Sequence, residues 1–315
     1  MTDRTVLVVE GPTASGKTSL GICLAGALGG EIVSADSMQI YRGMDIGTAK
    51  ATAQERAQIP HHMLDVADPS EEYSVARYVE EAARCCDSLL AAGKLPILVG
   101  GTGLYIDSLL SGREFGAVDT DGSLRDELNR QYDRLGGEAL LSELRCVDPD
   151  RAALLHPSDR KRIVRALEVY RLTGETITEH DRRSRTIPPR YRAVRIIPGF
   201  HDRSLLYQRI DERVQEMVAL GLFSEVRTLL ASGVSPKATS MQAIGYKEVI
   251  SCLQGNCTEA EAIAQIRQAS RRYAKRQLTW FARHEDACRL YHDDPGGTPA
   301  LLENALRFAA AAIKK

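Results

Sequence analysis

A glycine-rich octapeptide near the amino terminus constrains the fold of this 315-residue chain more than any other feature. Residues 11–18 read GPTASGKT and match the pattern G-x-x-x-x-G-K-[ST], directly after the β-branched run 5–10 and directly before a helical stripe of leucines. In that context the glycines let successive backbone amides turn toward phosphate oxygens, Lys17 adds a full positive charge, and the Thr18 hydroxyl can bind Mg²⁺. The chain is therefore predicted to bind a diphosphate or polyphosphate. The predicted binding residues are Gly11, Pro12, Thr13, Ala14, Ser15, Gly16, Lys17 and Thr18.

The first third of the chain alternates strand and helix signals. Strands are predicted at 5–10, 31–36 and 95–99, with helices from Lys17 and over 75–92 between them. Strands separated by helices require a parallel sheet that is covered on both faces. The predicted fold class is α/β, a P-loop NTPase-like parallel sheet with helices on both faces.

The pattern changes after this region. Residues 119–179 give only helical signals, whereas 191–197 predicts a strand that returns to the sheet, followed only by helices. We therefore predict a catalytic core formed by 1–117 and 190–315, with an inserted all-α domain at 118–189.

Composition excludes several classes of protein. No apolar run approaches the roughly 18 residues of a membrane-spanning helix, and the amino-terminal apolar run is too short for a signal peptide. We expect a cytoplasmic protein, without contact to membrane, and a monomer. The seven cysteines are odd in number and form no C-x-x-C pair, so a disulfide framework is not expected, and most are predicted to be buried.

Charge is segregated along the chain, although the net charge is only −1. Residues 159–195 hold eleven basic and five acidic side chains, and residues 262–284 hold six basic and no acidic ones. Two basic blocks on an otherwise acidic chain favour a polyanionic partner such as a nucleic acid.

Nucleoside triphosphates are the usual ligands of such a loop. Enzymes that use them generally hold Mg²⁺ with a second acidic residue at the end of a hydrophobic strand. Here the strand 95–99 runs into Gly100-Gly101-Thr102-Gly103. This weakens the alternative of a P-loop NTPase or small-molecule kinase without removing it.

Asp36 follows the second predicted strand, where open α/β sheets place their ligands. An Asp at such a position is often only a turn or capping residue. The polar run Asp36-Ser37-Met38-Gln39 beside a phosphate loop favours a role in the site.

Seven segments occur in an order that resembles the isopentenyl transferase family of bacterial tRNA dimethylallyltransferases. They are GPTASGKT, SADSMQIYRGMDIGTAK, IPHHMLD, PILVGGTGLYI, DRKRIVRALEVYRLTG, MQAIGYKE and AKRQLTWFAR, and they span residues 11 to 283. The resemblance implies transfer of a dimethylallyl group from dimethylallyl diphosphate to N6 of adenosine 37, in tRNAs that read codons beginning with U. The loop would then hold diphosphate.

The resemblance also implies roles for individual residues. Asp36 would accept the proton from N6, while Lys17, Thr18 with Mg²⁺, and Arg213 would neutralise the departing diphosphate. Arg209, one helical turn earlier, is a second choice for the arginine.

The same resemblance predicts a tRNA-binding surface. Its predicted residues are Asp36, Ser37, Met38, Gln39, Thr102, Arg125, Lys161, Arg162, Ile163, Val164, Arg165, Gln242, Gly245, Tyr246, Lys247, Lys275, Arg276 and Gln277. Trp280 is predicted to pack rather than to stack on a base, and the pair His61-His62 is predicted to be structural rather than metal-binding.

Two further alternatives stay open. One is an RNA-binding protein with a vestigial phosphate loop, which the presence of both Lys17 and Asp36 disfavours. The other is a prenyltransferase that acts on a free adenine nucleotide, which would need neither the insert nor the basic blocks.

Overall fold

A computed structural model describes residues 4–112, 122–184 and 186–314 of the chain. Its centre is a six-stranded sheet in the order β3-β2-β4-β1-β5-β6, and every neighbouring pair of strands is parallel. The strands are β1 Thr5–Glu10, β2 Gly30–Ser34, β3 His61–His62, β4 Leu95–Gly100, β5 Arg192–Gly199 and β6 Cys288–Tyr291. The predicted parallel α/β sheet is confirmed.

Fourteen α-helices accompany these strands in the described residues. Before and around the sheet lie α1 Lys17–Leu28, α2 Ala53–Gln58, α3 Val75–Ala91 and α4 Gly103–Ser111. The inserted region holds α5 Ser123–Leu135, α6 Gly137–Val147, α7 Pro149–Ala152, α8 Arg160–Thr173 and α9 Ile177–Ser184. After β5 come α10 Arg203–Ala219, α11 Leu222–Ala231, α12 Tyr246–Leu253, α13 Glu259–Phe281 and α14 Gly297–Ile313.

Helices cover both faces of the sheet. The chain passes from β1 through α1 to β2, and then returns through α3 to the intervening β4, so right-handed crossovers place α1 and α3 on opposite faces. On one face Leu20 and Leu24 of α1 share a buried cluster with Leu301 of α14. On the other, the rings of Tyr78 in α3 and Tyr105 in α4 stack with centroids 4.2 Å apart.

The two edge strands escaped prediction. Strand β3 has two residues and β6 has four, and no residue of either strand is fully buried, so neither produces a clear apolar pattern. The prediction that only helices follow β5 was therefore wrong at 288–291, where β6 pairs with the end of β5.

The chain divides into two compact units, Met1–Leu110 with Arg190–Lys315, and Ser111–Pro189. The second unit has its own core, in which Leu128, Leu144, Ile163 and Leu167 are fully buried. The predicted boundary between residues 117 and 118 lies outside the described residues.

All seven cysteines are free thiols. The prediction that most are buried was wrong, because Cys86 is the buried one while Cys23 and Cys146 are exposed and the others are half-buried. None of the helices described is long and apolar enough to cross a membrane.

Candidate active site

A crevice opens at the carboxyl ends of β1, β4 and β2, which are neighbours in the sheet. Three loops meet there, at 11–16, 35–39 and 100–102, around a cavity of about 360 Å³. This is the edge at which open α/β sheets bind ligands. The predicted site residues that line the cavity are Thr13, Lys17, Thr18, Asp36, Ser37, Met38, Gln39, Arg213, Gln242, Lys247, Arg276 and Gln277.

The loop after β1 has the conformation expected of a phosphate cradle. Ala14 and Gly16 have positive φ angles of 63° and 79°, and Gly16 begins α1 without any side-chain cap. Ser15 Oγ is buried and has no hydrogen-bond partner in the described residues. Uncapped amides at a helix start and an unpartnered buried hydroxyl fit the oxygens of a diphosphate.

Two cations face this loop. The Lys17 ammonium donates to the Pro12 carbonyl at 2.5 Å. Burial lowers the pKa of Lys17 to about 7, with a smaller lowering from Arg213 and an opposing effect from Asp36. Burial also lowers the pKa of Arg213, while Asp36 counteracts it. An anion that entered the cavity would therefore relieve the repulsion between Lys17 and Arg213.

Helix α10 places Arg213 in the cavity. Its residues Leu206 and Ile210 are buried with Ala14 of the phosphate loop, so the helix packs directly on that loop. Arg213 follows on the next turn and lines the cavity. Arg209, the second choice, instead lies 5.5 Å over the ring of Phe200 and is not among the lining residues.

Asp36 lines the same cavity from the loop after β2. Its Oδ1 accepts the Met38 and Gln39 amides at 2.9 and 3.4 Å, and Oδ2 has no hydrogen-bond partner in the described residues. The Thr102 hydroxyl accepts the Ser37 amide at 3.0 Å, while the Thr102 amide donates to the Ala35 carbonyl at 3.1 Å. These bonds fix the carboxylate with one oxygen available to a ligand.

Helix α13 joins the loops from the other side through Gln277. This residue is buried, and its Oε1 accepts the Thr13 amide at 2.8 Å while its Nε2 donates to the Gly101 carbonyl at 2.9 Å. Gln277 therefore bridges the two loops, a role that the sequence did not predict. It also lines the cavity, and its RNA contact stays a prediction. Trp280 packs against Gly103 and donates to Asp107 at 2.8 Å, which confirms its packing role.

The predicted tRNA residues near the crevice fall into two groups. Gln242, Lys247, Lys275 and Arg276 are exposed, and Lys275 is the member of this group that does not line the cavity. Gly245 and Tyr246 are buried at the start of α12. The Tyr246 hydroxyl donates to Glu225 at 2.5 Å, and the Gly245 amide donates to Glu248 at 2.8 Å. Because both residues are buried and bonded inside the protein, their predicted contact with RNA is corrected to a structural role.

The inserted unit presents its predicted residues on two sides of α8. Lys161 and Arg162 are exposed. Ile163 and Val164 are 0% and 3% exposed in the core of the unit, so these two members of the predicted RNA-binding segment are corrected to core residues. Within the same unit, Arg125 and Arg165 form ion pairs with the buried carboxylate of Glu168, at 3.0 and 2.8 Å.

His61 is a cavity residue that sequence reasoning missed. Its Nδ1 donates to the Ile59 carbonyl at 2.7 Å, and its Nε2 is buried without a partner in the described residues. Burial lowers the pKa of His61, which favours the neutral ring with an available lone pair. A two-residue strand gives no periodic signal that could have placed this ring on the cavity wall.

The described residues contain no group of three His, Cys, Asp or Glu that could hold a metal ion by itself. Thr18 lines the cavity directly after Lys17, so its hydroxyl could provide one oxygen ligand to a metal ion.

Comparisons with known proteins agree on one family. The family model described as IPP transferase matches residues 39–284, and the model described as isopentenyl transferase matches residues 4–67. The tRNA dimethylallyltransferase of Pelotomaculum thermopropionicum is 46% identical over 281 residues, which is 89% of this chain and 88% of that protein. The protein of the same name from Thermoanaerobacter sp. is 40% identical and covers 98% of both chains.

Solved structures give the same result. The full-length tRNA isopentenylpyrophosphate transferase of Bacillus halodurans matches with a TM-score of 0.74 and 39% identity, over 99% of this chain and 97% of that one. A eukaryotic dimethylallyltransferase, described as acting on tRNA, matches with a TM-score of 0.81 and 29% identity, over 98% of this chain and 78% of that one.

Proposed function

The chain belongs to the IPP transferase family and is a prenyl transferase, and we propose that it modifies tRNA. In this proposal it transfers the dimethylallyl group of dimethylallyl diphosphate to N6 of adenosine 37, in tRNAs that read codons beginning with U. The products are N6-(dimethylallyl)adenosine and diphosphate.

One observation supports the proposal more than any other. A single cavity is lined by Lys17 and Arg213, beside the uncapped start of α1, and by the Asp36 carboxylate. A cationic cradle suits a diphosphate leaving group, and a carboxylate suits an amine that must lose a proton. A kinase site would instead need an acid after β4, where the chain has Gly100 and Gly101.

The reaction exchanges one bond for another. The allylic C–O bond breaks and leaves its electron pair on the diphosphate, while the N6 lone pair forms the new C–N bond. Lys17, Arg213 and the amides of the loop stabilise the charge that develops on the diphosphate. When bound, Mg²⁺ would be held by Thr18 and the diphosphate and would supply further positive charge to the leaving group.

Asp36 completes the transfer. The exocyclic amine of adenine is a weak nucleophile, because its lone pair is delocalised into the ring. Oδ2 of Asp36 accepts the N6 proton as the C–N bond forms, while the Met38 and Gln39 amides hold Oδ1 in place.

The acceptor adenosine must unstack from its neighbouring bases in the anticodon loop to reach the cavity. Unstacking one base costs a few kcal/mol, which contacts to the surrounding RNA have to offset. We propose that Gln242, Lys247 and Arg276 contact RNA at the cavity, and that Lys161, Arg162, Arg125 and Arg165 of the inserted unit contact it elsewhere.

Incubation with an unmodified anticodon stem-loop, dimethylallyl diphosphate and Mg²⁺, followed by nucleoside mass spectrometry, tests the proposal. We expect one prenylated adenosine per stem-loop. Absence of any prenylated nucleoside, together with phosphoryl transfer from ATP, would favour the kinase alternative.

A further inference from the structure

The carboxylate of Glu225 binds the backbone of a loop that forms part of the wall of the active-site cavity. Glu225 of α11 accepts the backbone amides of Asp45 and Ile46 on Oε2, at 2.9 and 2.7 Å. Its Oε1 accepts the amide of Gly47 at 3.1 Å and the hydroxyl of Tyr246 at 2.5 Å. Three consecutive amides that converge on one anion form a nest, the arrangement in which loops commonly bind phosphate.

The fit around this nest is tight. A Cβ atom on Gly47 would collide with the ring of Tyr246, which is fully buried. The loop has a second contact, because the buried Lys50 ammonium donates to the side chains of Asp45 and Asp65, at 2.6 Å in both cases. Glu225 is the side chain that accepts the backbone amides of 45–47.

The anchored loop reaches Asp36 through Gln39. The side-chain amide of Gln39 donates to the carbonyls of Thr48 and Ala49 at 3.2 and 3.3 Å, and its oxygen accepts the hydroxyl of Ser34 at 3.0 Å. The backbone amide of Gln39 donates to Asp36. Gly47, Thr48 and Ala51 also line the cavity. A displacement at 45–47 would thus move both a cavity wall and the orientation of the Gln39 amide.

We propose that Glu225 is a positioning residue for the acceptor adenosine, acting through loop 45–49 and Gln39. This inference rests on the proposed function. The phosphate loop has its own contacts to Gln277 and α10, so the donor diphosphate should be little affected by Glu225.

Glu225→Gln tests the inference with almost no change in shape. The side-chain NH2 of the glutamine is a donor and would face backbone donors, so at least one hydrogen bond of the nest is lost and a partly buried amide is left unpaired. We expect the KM for the anticodon stem-loop to rise about tenfold, with the KM for dimethylallyl diphosphate changed by less than about twofold. Tyr246→Phe removes one bond and leaves the three amides paired, so it should raise the KM for the stem-loop by only about threefold.

Glu303→Gln is the matched control, because this glutamate of α14 is 78% exposed and lies outside the site. Hydrogen exchange of the peptide 43–50 gives a readout that needs no turnover. The amides at 45–47 should exchange faster in Glu225→Gln and at the wild-type rate in Glu303→Gln.

Equal increases in the KM values of both substrates would overturn the inference, as would an unchanged KM for the stem-loop with a lowered Tm. If the wild-type protein prenylates no RNA, the proposed function fails on its own. Equilibrium binding of the stem-loop to Glu225→Gln then still decides the inference, with unchanged affinity contradicting it.

Discussion

The loops after β1 and β2 both present backbone amides without a partner in a strand or helix, and they satisfy them in opposite ways. At 45–47 the protein supplies its own anion, Glu225, which accepts three amides. At 11–18 it supplies none, since Gly16 begins α1 without a side-chain cap and the buried Ser15 hydroxyl has no partner in the described residues.

The two loops differ in whether the protein itself supplies the anion, and a loop without a protein anion is free to bind one from a ligand. The loop at 45–47, which Glu225 fills, forms a wall of the cavity through Gly47. The loop at 11–18, called the open loop below, lies beside Lys17 and Arg213, whose pKa values burial lowers. Asp36 partly offsets the lowering of both pKa values, but it forms no ion pair with either cation in the described residues. Unpaired positive charge lowers stability, and a diphosphate offsets that cost when it binds.

Loss of the Asp36 carboxylate should have the largest effect. Asp36→Asn keeps the turn at 36–39 but cannot accept a proton, so we expect kcat to fall by about 10³-fold. Rapid-quench measurement of prenylated RNA gives the rate, and filter binding of the stem-loop serves as the control, which should be almost unchanged. Turnover at the wild-type rate would remove Asp36 from the mechanism.

Loss of the Lys17 ammonium should have the second largest effect on the reaction. Lys17→Met should lower kcat/KM for dimethylallyl diphosphate by about 10²-fold, because the charge on the leaving group loses one stabilising partner. Arg213→Gln should act in the same direction. If the Lys17 variant affects only the KM for RNA, the open loop does not hold the donor.

The pKa of about 7 for Lys17 predicts proton uptake on binding. Above pH 7 the unliganded amine is mostly neutral, and a bound diphosphate raises its pKa, so diphosphate affinity should fall as the pH rises from 7 to 9. Calorimetry at pH 8 in two buffers of different ionisation enthalpy should detect uptake of about one proton. Lys17→Met should abolish this uptake, and equal uptake in the variant would assign the proton to another group.

Charge on the inserted unit lies outside both loops, so its removal should alter RNA affinity without altering the chemistry. Lys161→Glu with Arg162→Glu is the cleaner pair, because Arg165 is engaged with the buried Glu168. We expect roughly tenfold weaker tRNA binding and a flatter dependence of affinity on salt. An unchanged salt slope would show that this part of α8 does not contact RNA.

Local sequence was enough to predict the phosphate loop, the parallel sheet and the position of Asp36, because each follows from a strand, a turn or a helix start within a few residues. Contacts between distant residues could not be predicted in this way. Gln277 bonds to Thr13 across 264 residues, and Glu225 bonds to loop 45–47 from about 180 residues away. Helical spacing in 161–165 separates a basic face from a core face, and Ile163 lies in the core as that spacing predicts. The inclusion of Ile163 and Val164 among the RNA-binding residues comes only from the family resemblance of the whole segment.

The central claim is that the open loop grips the diphosphate of an allylic donor while Asp36 deprotonates an adenine amine. Diphosphate release from dimethylallyl diphosphate and ADP formation from ATP, measured in parallel reactions that each contain the stem-loop and Mg²⁺, test it most directly. We predict one diphosphate per prenylated adenosine in the first reaction, release about 10³-fold slower in Asp36→Asn, and no turnover of ATP. Hydrolysis of ATP without any prenylated RNA would contradict the claim.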